Sequence, residues 1–105
     1  MRLSVLLGLV LFVGTGAQTV PQVMLDAGCY WDQYLGYSGA IHCPLDTNLQ
    51  DADLQGAILV GAELGKVNFT GADLQDAYLQ DADLQSAVLH SAQLQNANLG
   101  GVNLW

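Results

Sequence analysis

From position 49 to position 104, a leucine or phenylalanine stands at every fifth residue without interruption. The series consists of Leu49, Leu54, Leu59, Leu64, Phe69, Leu74, Leu79, Leu84, Leu89, Leu94, Leu99 and Leu104. Two positions before each of these residues stands alanine, or valine or threonine where alanine is missing. A fixed period over more than half of a chain indicates a repeat architecture, in which each unit packs against its neighbours.

A period of five fits neither an α-helix nor a straight strand. Steps of five would spread the leucines around every face of a helix and would alternate them between the two faces of a strand. The alanine and the leucine lie two residues apart, so they share one side of a short extended stretch. The pattern therefore predicts a tube that turns a corner in every unit, with these side chains inside. Apart from Lys66, the corner positions hold turn-forming residues: Asp51, Gly56, Gly61, Gly71, Asp76, Asp81, Ser86, Ser91, Asn96 and Gly101.

The individual units resemble a known repeat. Residues 52–56 (ADLQG), 72–76 (ADLQD) and 82–86 (ADLQS) match the A-(D/N)-L-x-x consensus of the pentapeptide repeat family. The resemblance implies an all-β fold, a right-handed quadrilateral β-helix with just under three coils over residues 47–105. It also implies a structural or binding module, and it implies no particular partner.

The N-terminal end has the features of an export signal. Met1-Arg2, an apolar run at 3–13 and a small-residue exit at 14–17 are typical of a secretory signal peptide, predicted here over residues 1–17. An uncleaved anchor is the alternative, although eleven apolar residues are too few to span a bilayer comfortably. Export predicts no stable membrane association after cleavage, and a location in the periplasm, the thylakoid lumen or the extracellular medium. The first two are where similar short family members are found.

Residues 18–46 are predicted to form a cap over the first coil, because the end of a solenoid exposes open strand edges and apolar core. Cys29 and Cys43 are the only cysteines, and in an oxidising compartment they are expected to form a disulfide. In the chain-entropy model such a loop is worth about 3 kcal/mol. A metal site that adds His42 to the two thiols is the competing interpretation, although its ligand set is poor for zinc.

Aromatic residues cluster inside the cysteine loop at spacings that suit one or two helical turns: Tyr30, Trp31, Tyr34 and Tyr37. We expect them to plug the first coil. An aromatic platform for a ligand is the alternative.

At the other end, the last leucine is followed only by Trp105. The interior of the last coil would then be uncovered, which predicts a tail-to-tail homodimer. The seam of this dimer would comprise four residues: Leu99, Val102, Leu104 and Trp105. A monomer with Trp105 folded over a frayed last turn is the alternative.

With four units to a coil, residues twenty apart should stack in columns on the outside. Ile58, Val60 and Tyr78 then form an apolar patch on one face, a candidate site for a protein partner. Strand preference alone is the competing explanation of these residue types. A neighbouring face should carry Asp53 stacked on Asp73. We expect solvent, rather than a bound metal ion, to screen the repulsion between these two carboxylates. Beside them we expect a column of hydrogen-bonded glutamines, Gln55, Gln75 and Gln95.

The sequence therefore predicts an exported, non-catalytic scaffold that binds another protein, with no cofactor and no metal. His90 and Ser91 are adjacent but should point apart, and no phosphate-binding loop is present. The formal charge of −8, which becomes −9 without Arg2, argues against nucleic acid as a partner. The alternative function is that of a DNA mimic that inhibits or protects DNA gyrase, as some proteins of this family do. That function requires a cytosolic protein.

Overall fold

The structure, a computed structural model, describes residues 20–32 and 40–105. The predicted signal peptide, together with Tyr34 and Tyr37, lies outside these ranges. In chain order the elements are helix α1 (Gln22–Asp26), strand β1 (Tyr30–Asp32) and strand β2 (Ala40–His42). The two strands pair antiparallel, with Trp31 opposite Ile41. From residue 47 onward, short bridges alternate with turns in every unit of five.

Parallel bridges connect the repeats into columns. Each bridge within the repeats joins residues twenty apart, as Asp53 with Asp73 and Asp73 with Gln93. The amide of Leu54 donates to the carbonyl of Asp73 at 2.8 Å, and the amide of Asp73 donates to Ala52 at 2.9 Å. Because twenty residues are four units, successive coils stack in register and the side chains of equivalent units lie above one another. The repeat region is a β-helix.

The corners confirm the turn positions that the sequence predicts. All eleven corner residues have a positive φ, between 57° and 72°. In a typical unit the amide of Ala57 donates to the carbonyl of Leu54 at 3.0 Å, which closes a four-residue turn around Gly56. A left-handed third residue is characteristic of type II turns, and glycine or asparagine occupies it most easily. Lys66, with φ 60°, is the unusual occupant, because this conformation costs a residue with a side chain about 1–2 kcal/mol.

The series of large apolar residues forms the interior. Leu64, Phe69 and Leu79 are fully buried, and the alanines at 62 and 72 are buried beside them. A small residue next to each large one lets the coils approach closely and leaves the interior packed. Every inward position through Leu84 is at least nine-tenths buried except the half-buried Ala57.

The N-terminal segment packs against the apolar interior of the repeats. Met24 from α1 and Ile41 from β2 are fully buried against the apolar interior. Strand β2 continues the backbone ladder, since the amide of Glu63 donates to Ile41 at 2.8 Å and the amide of Cys43 donates to Glu63 at 3.0 Å. Cys29 and Cys43 form a disulfide with α-carbons 4.2 Å apart. It ties the segment that follows α1 to the residue that follows β2.

The described aromatic residues of the cysteine loop do not form the predicted helical plug. Tyr30 and Trp31 belong to β1, where their side chains alternate, and Tyr30 is 47% exposed. Trp31 packs at the edge of the core, but Met24 and Ile41 fill its centre. The disulfide explains the difference, because it holds the two sides of the loop together as an antiparallel pair. The helix lies before Cys29 instead.

Candidate protein-binding surfaces

An apolar patch occurs on the predicted face of the tube. Ile58 and Tyr78 are neighbours across a parallel bridge between adjacent coils. They are 45% and 49% exposed. Val60, two residues after Ile58, is 38% exposed. Unit 57–61 and unit 77–81 place these side chains outward because the alternate positions, Leu59 and Leu79, are fully buried. We call Ile58, Val60 and Tyr78 the apolar patch.

Gln80 adjoins the apolar patch and has an unsatisfied amide oxygen. The amide of Gly61 donates to the backbone carbonyl of Gln80 at 2.8 Å, which stacks Gln80 directly above Val60. The side-chain oxygen of Gln80 is buried and has no hydrogen-bond partner among the described residues. An unpaired buried acceptor costs about 1–3 kcal/mol, so a rotation of the side chain toward an incoming donor would be favourable.

The face of the apolar patch differs from the faces next to it in charge. Its two columns contain no acidic or basic side chain: Ile58, Tyr78, Asn98, Val60, Gln80 and Gly100. The face before it carries Asp53 and Asp73, and the face after it carries Glu63 and Asp83. The structure thus places one uncharged, partly apolar strip between two acidic ones.

The mouth of the last described coil exposes apolar side chains that are buried one coil earlier. Leu99 and Leu104 are 42% and 58% exposed, whereas Leu79 and Leu84 are 0% and 2% exposed. Val102 is half-buried and Trp105 is 90% exposed. The four predicted seam residues therefore lie together at one end of the tube, as the register requires.

Backbone groups at this mouth also lack partners among the described residues. The amides of Phe69 and Leu74 donate to the next coil, at Val88 and Gln93. The equivalent amides of Leu89 and Leu94 have no acceptor in the described part of the chain. Among the described residues, the mouth is an open strand edge that surrounds exposed leucines.

Other polar side chains are arranged differently from the sequence-based expectation. The Gln75 amide nitrogen donates to Asp73 and to Gln93, both at 3.0 Å, so the predicted bonds to Gln55 and Gln95 do not form. Asp73 lies two residues before Gln75 and Gln93 lies in the next coil, and both are within hydrogen-bonding distance of the Gln75 amide. His42, considered earlier as a metal ligand, pairs with Glu63 and lies against the ring of Tyr30, with centroids 5.1 Å apart.

The described residues contain no cluster of side chains suited to a metal ion. Among residues 20–32 and 40–105, no three His, Cys, Asp or Glu side chains are grouped so that they could hold a metal ion. Both cysteines are in the disulfide, so neither thiol is available to a metal. The same ranges contain no helix of the length and apolar character that crossing a membrane requires.

Comparison with known proteins identifies repeats of the same kind. The family model of pentapeptide repeats matches residues 47–85 and 68–105, with eight copies of the repeat. No curated protein matches the sequence significantly. Two solved structures that match it are both cyanobacterial proteins with this repeat.

The first of these structures is a pentapeptide repeat protein, Rfr23, from Cyanothece 51142. It is 29% identical, and the match covers 63% of this chain and 52% of Rfr23 with a TM-score of 0.51. The second, alr5209 from Nostoc Pcc 7120, is 43% identical over 56% of this chain and 57% of that protein, with a TM-score of 0.27. The chain thus spans little more than half the length of either protein.

Proposed function

Because this chain belongs to the pentapeptide repeat family, whose members are generally repeat scaffolds, we propose that it is a non-catalytic scaffold that binds another protein through the apolar patch. The observation that carries this proposal is the uncharged strip between two acidic faces. Carboxylates on both sides keep the protein soluble and discourage non-specific association, while Ile58, Val60 and Tyr78 offer a surface that gains from burial.

The size of the apolar patch limits the affinity it can provide. Covering the exposed parts of Ile58, Val60 and Tyr78, each about half a side chain, is worth roughly 3 kcal/mol in total. That corresponds to a factor of about 150 in the binding constant. A partner that bound through this patch alone would dissociate readily, so we expect it to contact the flanking carboxylates with basic side chains as well.

The rest of the architecture serves this role. We propose a mature protein in which residues 18–46 form a disulfide-closed cap and residues 47–105 form just under three right-handed coils. The proposal of export, to the periplasm, the thylakoid lumen or the extracellular medium, rests on the signal-like residues 1–17 and on the Cys29–Cys43 disulfide, which persists in oxidising compartments. An exported protein does not meet DNA gyrase, so we do not retain the DNA-mimic function.

We further propose that two copies associate through the mouth of the last coil. The exposed Leu99, Leu104 and Trp105 support this, since a second mouth would cover them. The backbone edge supports it too. Around Val88 the amide of Leu89 and the carbonyl of Ala87 point away from the tube, and two such edges in opposite directions can exchange hydrogen bonds.

The proposal of a protein partner is tested by capture from the extracytoplasmic fraction of the source cells. The bait is the mature protein, compared with Tyr78→Ser and with Val88→Ser as a matched control. Val88 is 47% exposed on a different face, so its replacement changes surface hydrophobicity without touching the apolar patch. We expect a protein that is retained by the wild type and by Val88→Ser and is lost with Tyr78→Ser. Equal retention by all three baits would refute the assignment of the patch.

A further inference from the structure

A groove of about 400 Å³ lies where the cap meets the face after the apolar patch. Gly65, Leu45 of the N-terminal segment and Gln85 of the next coil are among the residues that line it. Pockets for small ligands begin at about this volume. The groove is separate from the apolar patch, whose residues do not line it.

Gly65 keeps the groove open, and neither backbone strain nor lack of space requires a glycine there. Its φ is not in the left-handed region, and a β-carbon would make only ordinary contacts, 3.6 Å from the Gln85 carbonyl and 4.0 Å from Leu45. The equivalent position holds glutamine two units earlier, at Gln55, and one coil later, at Gln85. A glutamine at position 65 would extend into the groove and fill it.

Lys66 brings a positive charge to the lining of the groove. It is the only lysine of the chain, and its ammonium makes no ion pair with any carboxylate that the structure describes. It also occupies a left-handed corner that holds Gly, Asp, Ser or Asn in the other units. A residue kept in an unfavourable conformation, with an unpaired charge at a cavity, indicates a binding role more than a structural one.

The same lining contains carboxylates. Glu63 and Asp83 are neighbours across a parallel bridge, and both line the groove. The α-carbons of Glu63 and Lys66 are three residues apart, which limits their separation to about 10 Å. An extended dipeptide holds its ammonium and its carboxylate about 7 Å apart, so side chains that lean inward could reach both ends.

We propose that this groove binds a small peptide-like zwitterion, with its carboxylate at Lys66 and its ammonium at Asp83 and at Glu63, whose carboxylate also pairs with His42 of the groove lining. A simple anion would be repelled by the net charge of −8, and a simple cation would meet Lys66. A ligand with both charges pairs with Lys66 and with the lining carboxylates, and it leaves the net charge of the complex unchanged. The site is independent of the proposed protein partner.

The test uses glycylglycine as the probe and the mature protein with its disulfide intact. Amide chemical shifts are followed by NMR at millimolar concentrations of the probe. N-acetylglycylglycine lacks the ammonium and glycylglycinamide lacks the carboxylate. We expect glycylglycine to shift the amides of Gly65, Lys66 and Gln85, with each blocked analogue at least about tenfold weaker. Absence of shifts, or equal binding of either analogue, would overturn the proposal.

Variants separate binding from folding. Gly65→Gln should lower the affinity for glycylglycine at least about tenfold because the groove is filled. Gly100→Gln is the matched control, since Gly100 occupies the same place in its unit on the face of the apolar patch. Lys66→Asn should lower the affinity similarly without lowering the free energy of unfolding. Unchanged binding by Gly65→Gln, with a folded spectrum, would contradict the proposed site, whereas unchanged binding by Tyr78→Ser is expected.

Discussion

Replacing leucine by alanine at the same repeat position in different coils should give very different losses of stability. Leu74 lies in the middle coil and is 1% exposed, whereas Leu104 lies at the mouth and is 58% exposed. Both residues occupy the third position of their unit, so the two substitutions remove the same atoms from equivalent places in the repeat. Any difference between the two variants therefore reports burial inside the tube.

The expected magnitudes follow from the atoms removed. Leucine to alanine deletes three carbon atoms, worth about 2.4 kcal/mol when fully buried at about 0.8 kcal/mol each. The cavity left at position 74 has coils above and below it, which raises the cost to about 3–4 kcal/mol. At position 104 less than half of the side chain is buried and no closed cavity forms, so the cost should be about 1 kcal/mol.

The measurement is urea unfolding followed by far-ultraviolet circular dichroism, at protein concentrations low enough to keep the chain monomeric. Leu94 lies one coil after Leu74 at the equivalent position and is half-buried. The loss of stability for Leu94→Ala should therefore fall between those for Leu74→Ala and Leu104→Ala. The slope of the free energy of unfolding against urea should stay constant across the series, which shows that the extent of unfolding is unchanged. Equal losses for Leu74→Ala and Leu104→Ala would refute the arrangement of the interior.

Three further predictions concern the cap, one corner and the mouth. Replacing both cysteines by serine should lower the free energy of unfolding by about 3 kcal/mol in urea titrations, and the reduced wild type should match this variant; an unchanged midpoint would contradict a stabilising cap. Lys66→Asn should raise the free energy of unfolding by about 0.5–1 kcal/mol, because asparagine tolerates a positive φ better than lysine; a loss would mean that the lysine side chain stabilises the corner. Sedimentation should give a dimer mass for the wild type at high micromolar concentration and a monomer for Leu104→Asp, and a monomeric wild type would remove the proposed seam.

The repeat region could be predicted because one physical constraint recurs in every unit. A leucine that must face the axis every five residues fixes the position of the corner, and the corner fixes the side on which Asp53 or Tyr78 emerges. Stacking then follows from four units per coil, so the pairing of Ile58 with Tyr78 is a consequence of the period alone. Even Lys66 adopts the positive φ of its position, although its residue type disfavours it.

The cap could not be predicted in the same way because it contains no repeat. Its strands depend on pairing between residues 30–32 and 40–42, a contact that no local pattern signals. The aromatic spacing resembled helical turns, but Met24 and Ile41 fill the core and lie outside that cluster. Side-chain hydrogen bonds were equally inaccessible, since the Gln75 amide bonds to Asp73 of its own unit and to Gln93 of the next coil rather than to the glutamines of its column.

The position of the two proposed sites follows from the small number of residues in each unit that neither face the interior nor form the corner. In each unit two residues face inward and one must turn the corner, so the remaining outward positions alone can specialise. Most of these positions hold Asp, Asn or Gln, which suit a solvated surface. Ile58, Val60 and Gly65 depart from that composition in the adjacent units 57–61 and 62–66, as does Lys66 at the corner of the second unit, and Tyr78, Val88 and His90 depart from it in later units. These two units form adjoining faces of the coil against which the N-terminal segment packs. Several departures within two adjacent units, with Tyr78 stacked on Ile58 in the next coil, are the pattern expected if binding has shaped this part of the outside of the molecule.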